Sequence, residues 1–161
     1  MELEELKTLI REAFKDVTYP GDDHIAGCSR SALPIGCHEC DGIAAHFKGT
    51  TWQEHSLQTL IGCDSAVTLF HAGALHYYLP AFMLAELDDS SELIPNVYDG
   101  IESNYSPGQD EHHKARAREN VNLLSIPQRE AIIEYFKYRW TFDGEYDPDK
   151  RIFEVIDFLR S

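Results

Sequence analysis

Three of the four cysteines, Cys28, Cys37 and Cys40, fall within one short stretch, and the fourth is Cys63. Thiolates are the ligands that soft metals prefer, and three of them with one further cysteine or histidine complete a tetrahedral zinc site. His24, His38, His46 and Cys63 are candidates for the fourth place, and His24, Cys28, Cys37 and Cys40 form the ligand set expected if the chain holds a metal. Cys37-x-x-Cys40 is only half of a two-pair zinc signature, however, and no second pair follows. Cys40 also keeps helical register with Ile43, Ala44 and Phe47, the position of a small buried thiol. The plainer expectation is four reduced thiols that pack, with no metal and no other cofactor.

Other groups offer less. Asp22, Asp23 and His24 place two carboxylates and an imidazole in one turn, enough for a ligand pair or an acid/base pair. Aspartates in turns more often cap neighbouring backbone amides. His112 and His113 are adjacent on an expected helix and diverge, and His76 lies in an apolar run where a satisfied core histidine is expected. No GxSxG, HExxH, GxxxxGK[ST] or GxGxxG string occurs, so no catalytic residue is assigned and a non-enzymatic role is expected.

Helices must position these groups. Leu3, Leu6, Leu9, Ile10, Ala13, Phe14 and Val17 mark one face of a first helix over residues 2–17, stopped by Tyr19-Pro20-Gly21-Asp22-Asp23. A loop runs from Gly27 to Gly36, and a second helix covers Cys37 to Phe47, with Gly49 in a C-cap position. Thr51 and Glu54 form a capping box that opens a helix bearing Leu57, Leu60 and Ile61 and ending at Gly62, and Asp64 caps a short helix through Phe70. Ala74 to Leu87 is apolar nearly all round and belongs at the core, with a kink or break expected at Pro80. Weak helix is expected over Ser91–Ser103 and loop over Asn104–Gln109, followed by a helix over Glu111–Leu124. Ser125-Ile126-Pro127-Gln128 is a second capping box, opening a helix buried through Ile132, Ile133, Phe136 and Trp140. After a turn at Phe142–Tyr146, Asp147-Pro148 starts a last helix buried through Ile152, Phe153, Ile156 and Leu159. No sustained period-two alternation and no repeat is present. The fold class is therefore all-α: one domain over residues 1–161, an irregular bundle of about six to eight helices with a long loop near residues 18–37.

The chain has 161 residues, 43% of them apolar, enough for one domain that needs no staple. Its net charge of -14 is unevenly spread, because residues 49–113 hold ten acids and no Lys or Arg. That excludes nucleic-acid binding through phosphates and disfavours anionic membranes, both of which need cations. Glu86, Asp88, Asp89, Glu92, Asp99 and Glu102 are the candidate contacts for a basic protein partner, drawn in by charge. The acidic start at Met1–Leu6 is unlike a signal peptide and no apolar run is long enough to span a bilayer, so a cytoplasmic protein with reduced thiols is expected.

The order of pieces carries a resemblance. Tyr19-Pro20-Gly21-Asp22-Asp23, Glu39-Cys40 to Ile43, Phe47-Lys48-Gly49 to Trp52, Tyr77-Tyr78-Leu79-Pro80-Ala81 and Ser125 to Arg129 follow one another along the chain. The set resembles a family of small, mainly helical bacterial proteins known as a domain of unknown function, over roughly residues 10–140. The resemblance implies a helical bacterial protein and brings no catalytic residue with it. This chain departs from the pattern between Gly27 and Cys37, where Cys28 and Cys37 lie, so a cysteine site would be its own. Two functions follow as expectations. The first is a non-enzymatic interaction domain, an acidic immunity-type inhibitor that blocks a basic partner such as a toxin. The second is a small metal-dependent hydrolase or zinc-stabilised domain built on the Cys28–Cys40 loop.

Overall fold

The computed structural model describes residues 1–143 and 151–161. Among these there are nine α-helices, two 3-10 turns and no strand beyond an isolated bridge, so the fold is all-α as expected. The chain forms two compact units, Val17–Ile101 and a second made of Met1–Asp16 with Glu102–Ser161. No described helix is long and apolar enough to cross a membrane.

The unit over residues 17–101 carries the cysteines. Helices α2 (His38–Phe47), α3 (Leu57–Leu60) and α4 (Ala66–Leu69) pack around α5 (Ala72–Asp88), and α6 (Val97–Tyr105) starts within it. The apolar run of α5 is buried on almost every side, from Ala74 and Leu75 to Met83, which is what its all-round hydrophobicity requires. Pro80 lies inside this helix, and of the kink or break expected there the break is absent: α5 runs from Ala72 to Asp88. Burial on all sides holds the helix together where one backbone donor is missing. Phe47, Phe70, Tyr78 and Phe82 form an aromatic knot, with ring centroids 4.8 to 5.9 Å apart. The Tyr78 hydroxyl donates to the Phe47 carbonyl at 2.7 Å, and the Tyr19 hydroxyl accepts from the Gly49 amide at 2.8 Å while donating to Asp22 at 2.6 Å.

Several boundaries differ from the expectations. The Thr51–Glu54 box forms, with Glu54 Oε2 accepting the Thr51 amide at 2.6 Å, but it closes only a 3-10 turn over Trp52–Glu54. Ser56 is extended and starts α3 with a box of its own, which interrupts the single helix expected there. Ser65, not Asp64, occupies the N-cap of α4, and the Asp64 carboxylate accepts from Asn96 Nδ2 at 2.7 Å. The weak helix begins at Val97 and runs through Asn104 into Tyr105, and the Asp89 carboxylate binds the Leu93 and Ile94 amides ahead of it.

In the other unit, α1 (Leu3–Phe14) packs on α8 (Ile126–Asp143), which packs on α9 (Arg151–Arg160), beside α7 (Glu111–Leu123). Leu6, Ile10 and Phe14 of α1 and Ala131, Ile132, Tyr135 and Phe136 of α8 are fully buried. The first helix stops at Phe14 rather than Val17, several residues ahead of Tyr19, where Pro20 disfavours helical geometry. The Ser125–Gln128 box forms as expected, with Gln128 Oε1 accepting the Ser125 amide at 2.9 Å. Trp140 and Phe153 were expected in the core, but both are exposed, and their rings meet edge to face at 5.5 Å. Phe142 and Asp143 lie in α8 rather than in a turn; the rest of that turn and the Asp147-Pro148 helix start lie outside the described residues.

Candidate functional site

The three clustered cysteines meet in space. The sulfurs of Cys28, Cys37 and Cys40 all lie within 4.8 Å of one another. Two short elements bring them there. Cys37 is the N-cap of α2 and Cys40 is its third residue, with Cys37 Sγ accepting the Cys40 amide at 3.5 Å. This spacing makes a Cys-x-x-Cys pair converge over the first turn of a helix. Cys28 caps the 3-10 turn Ser29–Ala32: its sulfur accepts the Ser31 amide, and Ser31 Oγ accepts the Cys28 amide at 3.1 Å. An antiparallel bridge between Ala26 and Phe70 sets where this turn begins, flanked by Gly27 N to Leu69 O and His71 N to Ile25 O, each 3.0 Å.

The three thiols are chemically unequal. Cys37 and Cys40 are buried and Cys28 is partly exposed. The Arg30 amide, followed by the thiols of Cys40 and Cys37, lowers the Cys28 pKa to about 7. Burial pushes Cys40 the other way, to about 12, and the neighbouring Cys37 and Cys28 thiols add to the rise. The group therefore holds one thiol poised to ionise beside one held protonated.

Of the expected metal ligands, Cys28, Cys37 and Cys40 are brought together and His24 is not: it is exposed on the preceding loop and does not join the sulfur group. His46 is engaged elsewhere, with Nε2 3.1 Å from the Thr59 carbonyl oxygen, and Cys63 is a separate, half-buried thiol. Among the described residues no carboxylate or imidazole joins the three sulfurs. Asp22 accepts the Tyr19 hydroxyl at 2.6 Å, a contact between side chains rather than the backbone cap expected of a turn aspartate. His112 and His113 are both exposed, and His113 Nδ1 pairs with Asp110 at 2.6 Å. Sequence reasoning missed Ser31, whose side chain faces both Cys28 and Cys40. Its signal is the three-residue step from Cys28, the spacing of a capping box with sulfur in place of oxygen.

The six acidic candidates divide. Asp88, Glu92 and Asp99 are exposed. Asp89 is half-buried, with its carboxylate on backbone amides. Glu86 is buried at 9% exposure, which removes it from any docking face, and Glu102 is half-buried with Arg151 Nε 3.6 Å away. A cation from the C-terminal third thus reaches one member of the set.

A family model described as "Family of unknown function (DUF6714)" matches residues 2–161. No curated protein and no solved structure matches the chain.

Proposed function

The chain belongs to the family of unknown function DUF6714, and from that footing we propose that it is a metal-stabilised helical module whose zinc is held by Cys28, Cys37 and Cys40. One observation carries the reading: three sulfurs converge within 4.8 Å. Zinc–sulfur bonds of about 2.3 Å place the sulfurs of a tetrahedral site about 3.8 Å apart, so each needs to move by roughly 1 Å or less. The donors are all soft, which favours zinc over magnesium or calcium. The fourth position falls to water or to a side chain that swings in.

The loop gives such an ion a task. Residues 29–35 are all exposed, including Leu33 and Ile35, so hydrophobic burial does little to fix this segment. Its two ends, Cys28 and Cys37, meet at the sulfur group, and a metal there would tie the loop to α2. Free energy of metal binding then becomes free energy of folding. A hydrolytic role finds less support, because no carboxylate or imidazole joins the sulfurs among the described residues to act as general base.

The test is a zinc titration of the purified, reduced protein against a chromophoric chelator, with metal analysis. One zinc per chain is expected, lost in Cys37→Ser and in Cys40→Ser. Failure of the wild-type protein to compete for zinc would end the reading, as would retention of zinc by the double variant.

A second reading keeps an acidic docking surface for a basic protein, as in an immunity-type inhibitor. Asp88, Glu92 and Asp99 are exposed in a stretch with no Lys or Arg. Changing these three to Ser would weaken capture of such a partner at low salt; unchanged capture would dismiss the face.

A further inference from the structure

Metal binding uses the three thiols alike, but they differ in access. Cys28 is the one that solvent reaches, while Cys37 and Cys40 are buried behind it. Its sulfur caps the turn that follows it, accepting the Ser31 amide. Both buried sulfurs lie within 4.8 Å of it. A disulfide needs about 2.05 Å between sulfurs, so closure requires under about 3 Å of travel, within reach of side-chain rotation. An accessible thiol beside a second thiol that can trap its oxidised form is the arrangement of a reversible oxidation site. Cys63, of intermediate exposure like Cys28, lacks the arrangement because it lies outside the group and has no second thiol beside it.

We propose that Cys28 is a modification site for hydroperoxides, and that Cys37 or Cys40 resolves the product as an intramolecular disulfide. The Cys28 sulfur attacks the peroxide; an S–O bond forms, the O–O bond breaks, and the departing oxygen leaves as alcohol, or as water from hydrogen peroxide, taking the thiol proton. The second sulfur then attacks the Cys28 sulfenic acid; an S–S bond forms, the S–O bond breaks, and hydroxide leaves as water with the second thiol proton. Two thiols lose two electrons and one hydroperoxide gains them. The inference shares its residues with the metal reading but needs no metal. Where zinc is bound, the same disulfide removes two of its ligands and releases it.

The experiment treats the metal-free, reduced full-length chain with hydrogen peroxide, counts free thiols and maps the peptides by mass spectrometry. Free thiols are expected to fall from four to two, with Cys28 linked to Cys37 or Cys40 and Cys63 still reduced. Cys28 is expected to enter a disulfide before Cys63 is oxidised. The variant lacking both buried thiols is expected to stop at a sulfenic acid that dimedone traps on Cys28. Equal reactivity of Cys28 and Cys63, or a disulfide that omits Cys28, would overturn the proposal. A parallel sample with zinc separates the two ideas: protection of Cys28 supports both, whereas oxidation without any zinc effect keeps this proposal and removes the metal.

Discussion

His55 shows how one half-buried side chain gives the fold a pH response. Its Nε2 is 2.9 Å from Thr50 Oγ1 and its Nδ1 is 3.3 Å from Thr59 Oγ1. Burial lowers its pKa from 6.5, the nearby His46 adds to the fall, and Glu54 partly opposes it. The ring of His46 is 5.7 Å away and that of Tyr78 is 5.8 Å away. The unfolded chain therefore binds this proton more readily than the folded one. The stabilising contribution is complete above the unfolded value of 6.5 and declines as pH falls through it towards the lower folded value. Urea midpoints measured from about pH 8 to about pH 5 are expected to fall for the wild-type protein and to fall less for His55→Gln. A parallel decline in both would assign the response to other groups. The lowered carboxylates of Glu54, Asp89 and Asp110 act in a more acidic range, beginning to lose their contribution as pH falls through their ordinary values of 4.5 for Glu54 and 3.8 for the two aspartates, below the histidine's range.

Capping chemistry decides where helices begin, and it is also where the sequence is easiest to read. Gln128 closes the box at the start of α8 by accepting the Ser125 amide at 2.9 Å, and it is itself buried. Gln128→Ala is expected to cost about 1 kcal/mol, read as a shift in urea midpoint at constant slope. No shift would mean that solvent caps this terminus equally well. That box, the apolar face of α1 and the buried run of α5 are all visible as spacing, because each depends on residues within a turn or two of one another. What spacing misses depends on distant partners. Continuity through Pro80 comes from burial of α5 on all sides, and the exposure of Trp140 and Phe153 comes from which faces of α8 and α9 meet. The site divides the same way. Cys37 and Cys40 are legible as one helical turn, whereas the place of Cys28 depends on the bridge of Ala26 to Phe70, forty-four residues on, which no local pattern announces. His24 looked equivalent to the cysteines in sequence but lies before that bridge, on an exposed loop.

At the scale of the molecule, charge is the dominant feature, and it falls unequally on the two units. Residues 17–101 hold eleven acids against Arg30 and Lys48 alone, while the remaining residues hold seventeen acids against twelve Lys and Arg. A surface that negative repels itself in the folded state, and the unfolded chain relieves the repulsion by expanding. Added salt shortens the range of that repulsion, from about 30 Å at 0.01 M to about 10 Å at 0.1 M and about 3 Å at 1 M. Exposed ion pairs such as Lys15 with Glu12 at 2.9 Å weaken under the same conditions, but exposed pairs contribute little, typically under about 1 kcal/mol. Repulsion therefore outweighs them, and raising sodium chloride is expected to stabilise the fold. The effect should concentrate in residues 17–101, where amide hydrogen exchange is expected to slow more than in α1, α7, α8 and α9. Uniform slowing across both units would point instead to a general effect of salt on apolar burial, and faster exchange would show that ion pairs, not repulsion, set the balance.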